Sequence, residues 1–166
     1  IAGLMLYSSH QSIPAAGTRF GGSTYGGKSF RESGAKPSDL SDQQKIFLAQ
    51  DNLRHILITS VQSTETAAIW NNNVQALCES LGFGIPANNS SDPRHQAVST
   101  AEFNVGSAGQ ISMWPGSLGL AATLDPAVVK QYGDIASKEY RALGIPTAMS
   151  PQIDLATKPR QSLIHI

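Results

Sequence analysis

The chain has 166 residues, a size that fits one domain of ordinary dimensions and allows a real core to be buried. Twelve basic side chains balance twelve acidic ones, so no overall field directs it to a nucleic-acid backbone or an anionic membrane, and neither is expected as a partner. The single cysteine, Cys78, excludes an intrachain disulfide and a thiolate zinc cluster and reads as a small core residue, and no apolar run reaches the roughly 20 residues that span a bilayer.

The chain opens, without Met, on "IAGLMLYSS", an apolar stripe already under way with no N-cap residue before it. It reads as the tail of a helix at a cut end, so the start carries no address. From Gly17 to Lys36 the sequence is rich in Gly, Ser and charge, holds Phe20, Tyr25 and Phe30, and keeps no period of 2 or 3.6. A loop of that length is either a surface excursion or an arm that packs over a neighbouring surface. Residues 1–40 are accordingly set apart as helix end and arm from a main unit, 41–166.

Order returns at Ser41, which forms a capping box with Gln44 and predicts a helix over 42–50. Ile56, Leu57 and Ile58 follow as a buried strand. A second helix carries Trp70, Val74, Leu77 and Leu81 on one stripe, Asn71 to Asn73 on the opposite polar face, and Gly82 as a left-handed C-cap. "FGIPANNSS" predicts a second strand that breaks into a loop at Asn88, with Pro86 in its first residues or at a bulge. The segment 103–124 reads as irregular. Asp125 and Pro126 then start the clearest helix, with Val128, Val129, Tyr132, Ile135, Ala136 and Leu143 on one side and Gly144 and Pro146 as its stop. A third strand lies in "IPTAMSPQIDL". Two helix-to-strand joints share a phrase, "SLGFGIP" and "ALGIPTA", which reads as shared turn chemistry.

Strand and helix alternate as in parallel βαβ units, so the fold class is α/β. In such folds the ligand site lies beyond the C-terminal ends of the strands. Those ends carry Thr59 and Ser60, Asn88 to Asp92, and Gln152 and Asp154. Amides, hydroxyls and isolated carboxylates are the groups that hydrogen-bond sugar hydroxyls, and Trp114 offers a face to a pyranose ring. A carbohydrate is favoured over an anion, because no Gly-rich strand-to-helix turn supplies a phosphate cradle. Each candidate has a plainer alternative: Asp92 before Pro93 as a turn starter, His95 as a structural imidazole, Asp154 as a loop cap, Trp114 as loop core. No second His or Cys stands at metal spacing from His95, so neither metal nor cofactor is expected. His10, His55 and His165 are assigned no role.

The ordered motifs "GFGIPANNSSDPRHQA", "GQISMWPGSLGLAATLDPAVVKQYGDIASKEYRALGI" and "SPQIDLATKPR" resemble the N-terminal part of the first domain of glycoside hydrolase family 3, the β-glucosidase and β-xylosidase family, over about Asn52 to Arg160. The Gly-rich arm resembles that of a bacterial subgroup, which points to a periplasmic or secreted protein. The resemblance implies a TIM-like (β/α) barrel that hydrolyses terminal β-linked sugars with retention, one carboxylate attacking the anomeric carbon while a second acid protonates the leaving oxygen. Asp92 matches the family's sugar-binding aspartate, not its nucleophile, and Arg160 matches the first arginine of a later motif. The nucleophile and the acid/base of the family find no counterpart in this chain. Gln96 replaces a small Gly and Lys158 an acid, the motif Lys and His that complete the sugar pocket are missing, and the pattern stops at Gln161 as a frameshift or truncated reading frame would make it. The substrate-binding set is therefore Asp92, His95, Trp114, Asp154 and Arg160, with the catalytic groups unassigned. About three parallel strands, against the eight of a full barrel, leave open edges and predict a homo-oligomer that completes the sheet.

Overall fold

The computed structural model describes residues 5–11, 23–61, 63–92, 95 and 110–150. In chain order the elements are strand β1 (Met5–Ser8), a hairpin of β2 (Thr24–Tyr25) and β3 (Lys28–Ser29), the short helix α1 (Phe30–Ser33), helix α2 (Asp42–Ala49), strand β4 (His55–Ile58), helix α3 (Thr64–Ser80), strand β5 (Asn88–Ser91), helices α4 (Ser117–Ala121) and α5 (Pro126–Ala142), and strand β6 (Thr147–Ala148). Four of the strands form one sheet in the order β1-β4-β5-β6, every pair parallel. This is the α/β arrangement of a partial (β/α) barrel.

The sheet has one strand more than the sequence pattern predicts, because the opening segment is β1 and not the tail of a helix. Met5 to Ser8 pair in register with His55 to Ile58. Leu6 turns into the core while Tyr7, 48% exposed, stands on the other face, the period of two that a strand imposes. An apolar run of this length fits either element, and the partner that decides it lies some fifty residues away.

One face of the sheet is covered. Leu6, Ile56 and Ile58 meet Leu48 of α2, Ala67, Trp70, Val74 and Cys78 of α3, and Tyr140 of α5 in one cluster. The opposite face presents the row Tyr7, Leu57, Ser90 and Thr147, aligned across the four strands.

Several local predictions hold. Ser41 and Gln44 form both halves of the capping box, and Asp125 caps α5 by accepting from Ala127 N at 2.9 Å, with Pro126 in the first turn. Other details change. The left-handed glycine after α3 is Gly84 (φ +58), not Gly82, and it matches Gly144 (φ +81) after α5. Each precedes Ile-Pro, so the two joints share a left-handed glycine before Ile-Pro, but the Leu-Gly step itself differs, Leu81 being extended (ψ 156) and Leu143 helical (ψ -9). On α3, Trp70 and Val74 are buried as expected, but Asn71 from the predicted polar face is buried too. On α5, Val128, Tyr132, Ile135 and Ala136 are half-buried, Val129 is exposed, and Tyr140 carries the packing. Residues 117–121, expected to be irregular, form α4.

The largest change concerns the second strand. It is not "FGIPA" leading to a polar loop: β5 is the polar run Asn88–Ser91 itself. Its hydroxyls are satisfied by the neighbouring strand, Ser90 Oγ donating to Ile56 O and Ser91 Oγ to Ile58 O, both at 2.9 Å. Asn89 Nδ2 reaches Asn71 Oδ1 at 3.0 Å. A buried strand can be polar when most of its groups find partners, and in this strand Asn89 Oδ1 is the buried side-chain atom left without one among the described residues.

The described part of the arm, from 23 onward, is an ordered hairpin and not an irregular excursion. Gly26 and Gly27 both take positive φ, as a two-residue turn of the I′ kind requires. Asp42, at the start of α2, holds it: its carboxylate accepts from Thr24 Oγ1 at 2.8 Å and from the N–H groups of Gly26 and Gly27, both at 2.9 Å. Those three bonds, led by the two backbone donors, lower the Asp42 pKa from 3.8 to about 2. A depressed carboxylate contributes stability that is complete above pH 3.8 and is lost as pH falls toward 2. Hydrogen exchange at Gly26 and Gly27 is therefore expected to lose protection across that window in the parent protein. In Asp42→Ala it is expected to be unprotected already at neutral pH, and unchanged protection there would show that the latch is elsewhere.

Candidate functional site

The C-terminal ends of the parallel strands form one rim. Beyond β1 lie Ser9 and His10, beyond β4 Thr59 and Ser60, beyond β5 Asp92 and then His95, and beyond β6 Met149. Thr59 N donates to Ser8 O at 3.2 Å and Met149 N to Ser91 O at 2.9 Å, so the strand pairing runs on into the rim. Ser9 Oγ donates to Ser60 O at 2.7 Å. Gln44 sits beneath: its side-chain carbonyl accepts from Ser41 N at 2.9 Å and from Trp70 Nε1 at 3.4 Å, while its amide donates to Ser8 Oγ at 2.5 Å. One glutamine thus caps α2 and ties two helices to the end of β1.

Since Asn88 to Ser91 form the strand, Asp92 is the polar group that β5 delivers to the rim. It is half-buried, and its backbone carbonyl accepts from the hydroxyl of Tyr140 on α5. A half-buried residue with an anchored main chain suits a role that needs a side chain presented in a fixed direction.

His95 and Trp114 come together beside it. Trp114 N donates to His95 O at 2.9 Å. The imidazole is 1% exposed, its ring 4.7 Å from that of Tyr140, and its Nε2 lies 2.8 Å from Oε2 of Glu139. Burial lowers the His95 pKa, and the Glu139 carboxylate opposes that shift. The ring thus faces helix α5, the setting of a structural imidazole. Trp114 is half-buried, stands edge-on to Tyr132 at 5.6 Å, and donates its Nε1–H to Ser112 Oγ at 3.0 Å. Asp154 and Arg160 lie outside the described residues.

Three residues matter here that the sequence pattern does not single out. Glu139 accepts from Ser112 N at 3.2 and 3.1 Å and from Ser112 Oγ at 2.7 Å besides meeting His95. Tyr140 follows it on the same helix. Their partners lie 27 and 48 residues away, beyond any local signal. His10 is buried at the rim, where burial lowers its pKa. His55, by contrast, stands at the far end of the sheet.

Among the described residues no three His, Cys, Asp or Glu side chains converge as a metal site would need, and no helix is long and apolar enough to cross a membrane. A groove of about 630 Å³ lies between the hairpin and helices α2 and α3, with Tyr25, Asp39, Lys45, Asn73 and Leu77 in its walls.

A parallel sheet with helices on one face is the arrangement of a segment of a (β/α) barrel. The family model described as "Glycosyl hydrolase family 3 N terminal domain" matches residues 29–165, and the chain belongs to that family. The match extends beyond the Asn52 to Arg160 over which the motifs carry the resemblance. The chain is 39% identical over 161 residues to "Periplasmic beta-glucosidase/beta-xylosidase" of Dickeya chrysanthemi, covering 96% of this chain and 22% of that protein. It is 40% identical over 122 residues to "Probable beta-glucosidase C" of Aspergillus flavus, covering 70% and 18%. "Beta-glucosidase C" of Emericella nidulans is 34% identical over 142 residues, covering 82% and 22%. The chain thus spans about a fifth of the length of these curated relatives. No solved structure gives a significant match.

Proposed function

We propose that this chain supplies the sugar-gripping wall of a retaining β-glucosidase or β-xylosidase, with Asp92 as the residue that holds vicinal hydroxyls of the terminal sugar. The observation that carries the reading is the position of Asp92: a carboxylate at the C-terminal rim of a parallel sheet, its main chain pinned to α5 by Tyr140. An ionised carboxylate accepts from two neighbouring hydroxyls at once, which fixes both the position and the rotation of the ring. In the retaining reaction that placement presents the anomeric carbon to the attacking carboxylate and the glycosidic oxygen to the acid. Asp92 binds and orients, while attack and protonation fall to carboxylates other than those at this rim. Trp114 contributes to the wall beside it, and Asp154 and Arg160 are assigned to the same pocket by their motifs.

Calorimetry with glucose tests this. The parent chain is expected to bind, and Asp92→Ala to weaken binding by roughly ten- to a hundredfold, the loss of charge-assisted hydrogen bonds worth about 1.5–3 kcal/mol. Equal affinity in the two proteins would contradict it. Turnover of an aryl β-glucoside, lost in Asp92→Ala, would raise the role from binding to hydrolysis.

A second reading, association of the chain with copies of itself, is favoured by one observation. Among the described residues β1 pairs on one side only, and Tyr7 and Met149 stand exposed on the strands and rim of the sheet. Light scattering is expected to show a mass of at least a dimer; a compact monomer that melts cooperatively would contradict it.

A further inference from the structure

Two described stretches of chain meet beside the C-terminal end of β5, and one side chain joins them. The first carries Asp92 and His95, the second Ser112 and Trp114, and Glu139 of α5 reaches both: Oε2 lies 2.8 Å from His95 Nε2 and accepts from Ser112 Oγ at 2.7 Å. The stretches are also bonded to each other, Trp114 N to His95 O at 2.9 Å, and within the second Trp114 Nε1 donates to Ser112 Oγ at 3.0 Å. The carboxylate takes only donors, Ser112 donates to it while accepting from the indole, and the imidazole Nε2 lies within ion-pair distance of it. The residue after Glu139, Tyr140, donates to Asp92 O and packs its ring on His95. A single turn of α5 therefore holds both the main chain of Asp92 and the ring of His95.

We propose that Glu139 is a positioning residue for sugar binding: through His95 and Ser112 it holds the stretch that carries Asp92 in the geometry that grips the sugar. The role rests on the reading of Asp92 given above. Such a carboxylate need not touch sugar. Its side chain is 31% exposed, and its oxygens accept from Ser112 N and Oγ and lie beside His95 Nε2. What it supplies is direction, and an error of about 1 Å in a gripping group can cost up to about a hundredfold in function.

The test compares the 166-residue chain with Glu139→Gln, Glu139→Ala, Asp92→Ala and Lys130→Ala, measuring glucose affinity, exchange of the Trp114 amide and the titration of the His95 ring by NMR. Lys130 pairs with Asp134 on the exposed face of the same helix and controls for loss of helix stability alone. Glu139→Gln keeps shape and one acceptor oxygen and is expected to weaken glucose by about tenfold. Glu139→Ala should weaken it further, Trp114 exchange should speed up in both, and His95 should titrate at lower pH once the carboxylate that favours its charged form is gone. Lys130→Ala should match the parent in all three. If Glu139→Ala fails to fold, Glu139→Gln decides. Parental glucose affinity in folded Glu139→Gln, with Asp92→Ala impaired, would overturn the positioning role and leave the sugar reading standing. No glucose binding by the parent, or parental binding by Asp92→Ala, would overturn the sugar reading and this role with it.

Discussion

Truncation of Trp70 to alanine is expected to remove about 3–5 kcal/mol of stability, the range found when a buried aromatic is cut to a methyl group. Trp70 is 1% exposed and lies in the cluster that joins α3 to the sheet. Its indole N–H also donates to Gln44 Oε1 at 3.4 Å, so the substitution leaves a cavity and takes one bond from the glutamine that ties α2 to β1. Against a total of roughly 5–15 kcal/mol for a domain, such a loss takes a large share. Urea unfolding followed by circular dichroism measures it, with Trp70→Phe as the control that retains most of the volume and loses less. A cost under about 1 kcal/mol for the alanine variant would show that helix α3 is not held to the sheet through this residue.

Asn71 is the second strong point. Its Nδ2 donates to Leu143 O at 2.6 Å and its Oδ1 accepts from Asn89 Nδ2, so one amide fastens α3 to both β5 and the end of α5. Asn71→Leu conserves volume but strands the Leu143 carbonyl and takes one of two partners from Asn89, which keeps Gly144 O at 3.3 Å. With a buried unsatisfied group costing about 1–3 kcal/mol, the expected loss is roughly 2–4 kcal/mol. The pair Asn71→Leu with Asn89→Leu should cost less than the sum of the single changes, because removing both members of a bond leaves fewer orphans than removing one. Strict additivity in denaturant unfolding would mean that the two amides do not act together. Gly144 belongs to the same joint: a Cβ there would come within 3.0 Å of Asn71 Cβ, at a φ of +81 that side chains rarely take.

How far each of these features could be read from the chain depends on how local its cause is. The capping box at Ser41 and Gln44 and the Asp125-Pro126 start of α5 are decided within four residues, and the pattern gives them directly. The hairpin also has a local cause, Gly26-Gly27 between Tyr25 and Lys28 as the two-residue turn that needs positive φ twice, but the surrounding Gly and Ser hide it and the segment reads as an arm. Strands β1 and β5 were not legible, for opposite reasons. An apolar β1 fits helix or strand until β4 pairs with it, and a polar β5 looks like a loop until Ile56 O, Ile58 O and Asn71 accept its side-chain hydrogens. The site divides in the same way. Asp92 is recognisable by its motif, whereas Glu139 and Tyr140 acquire their roles only when α5 is laid against the rim.

In the proposed role, Asp92 grips sugar at the C-terminal rim. Mapping glucose-induced NMR shifts on the backbone amides of the 166-residue chain tests it most directly. Saturable shifts concentrated at Asp92, His95 and Trp114 are expected, needing roughly ten- to a hundredfold more glucose in Asp92→Ala. Shifts confined to the groove around Tyr25, Lys45 and Asn73, or shifts that persist unchanged in Asp92→Ala, would contradict it.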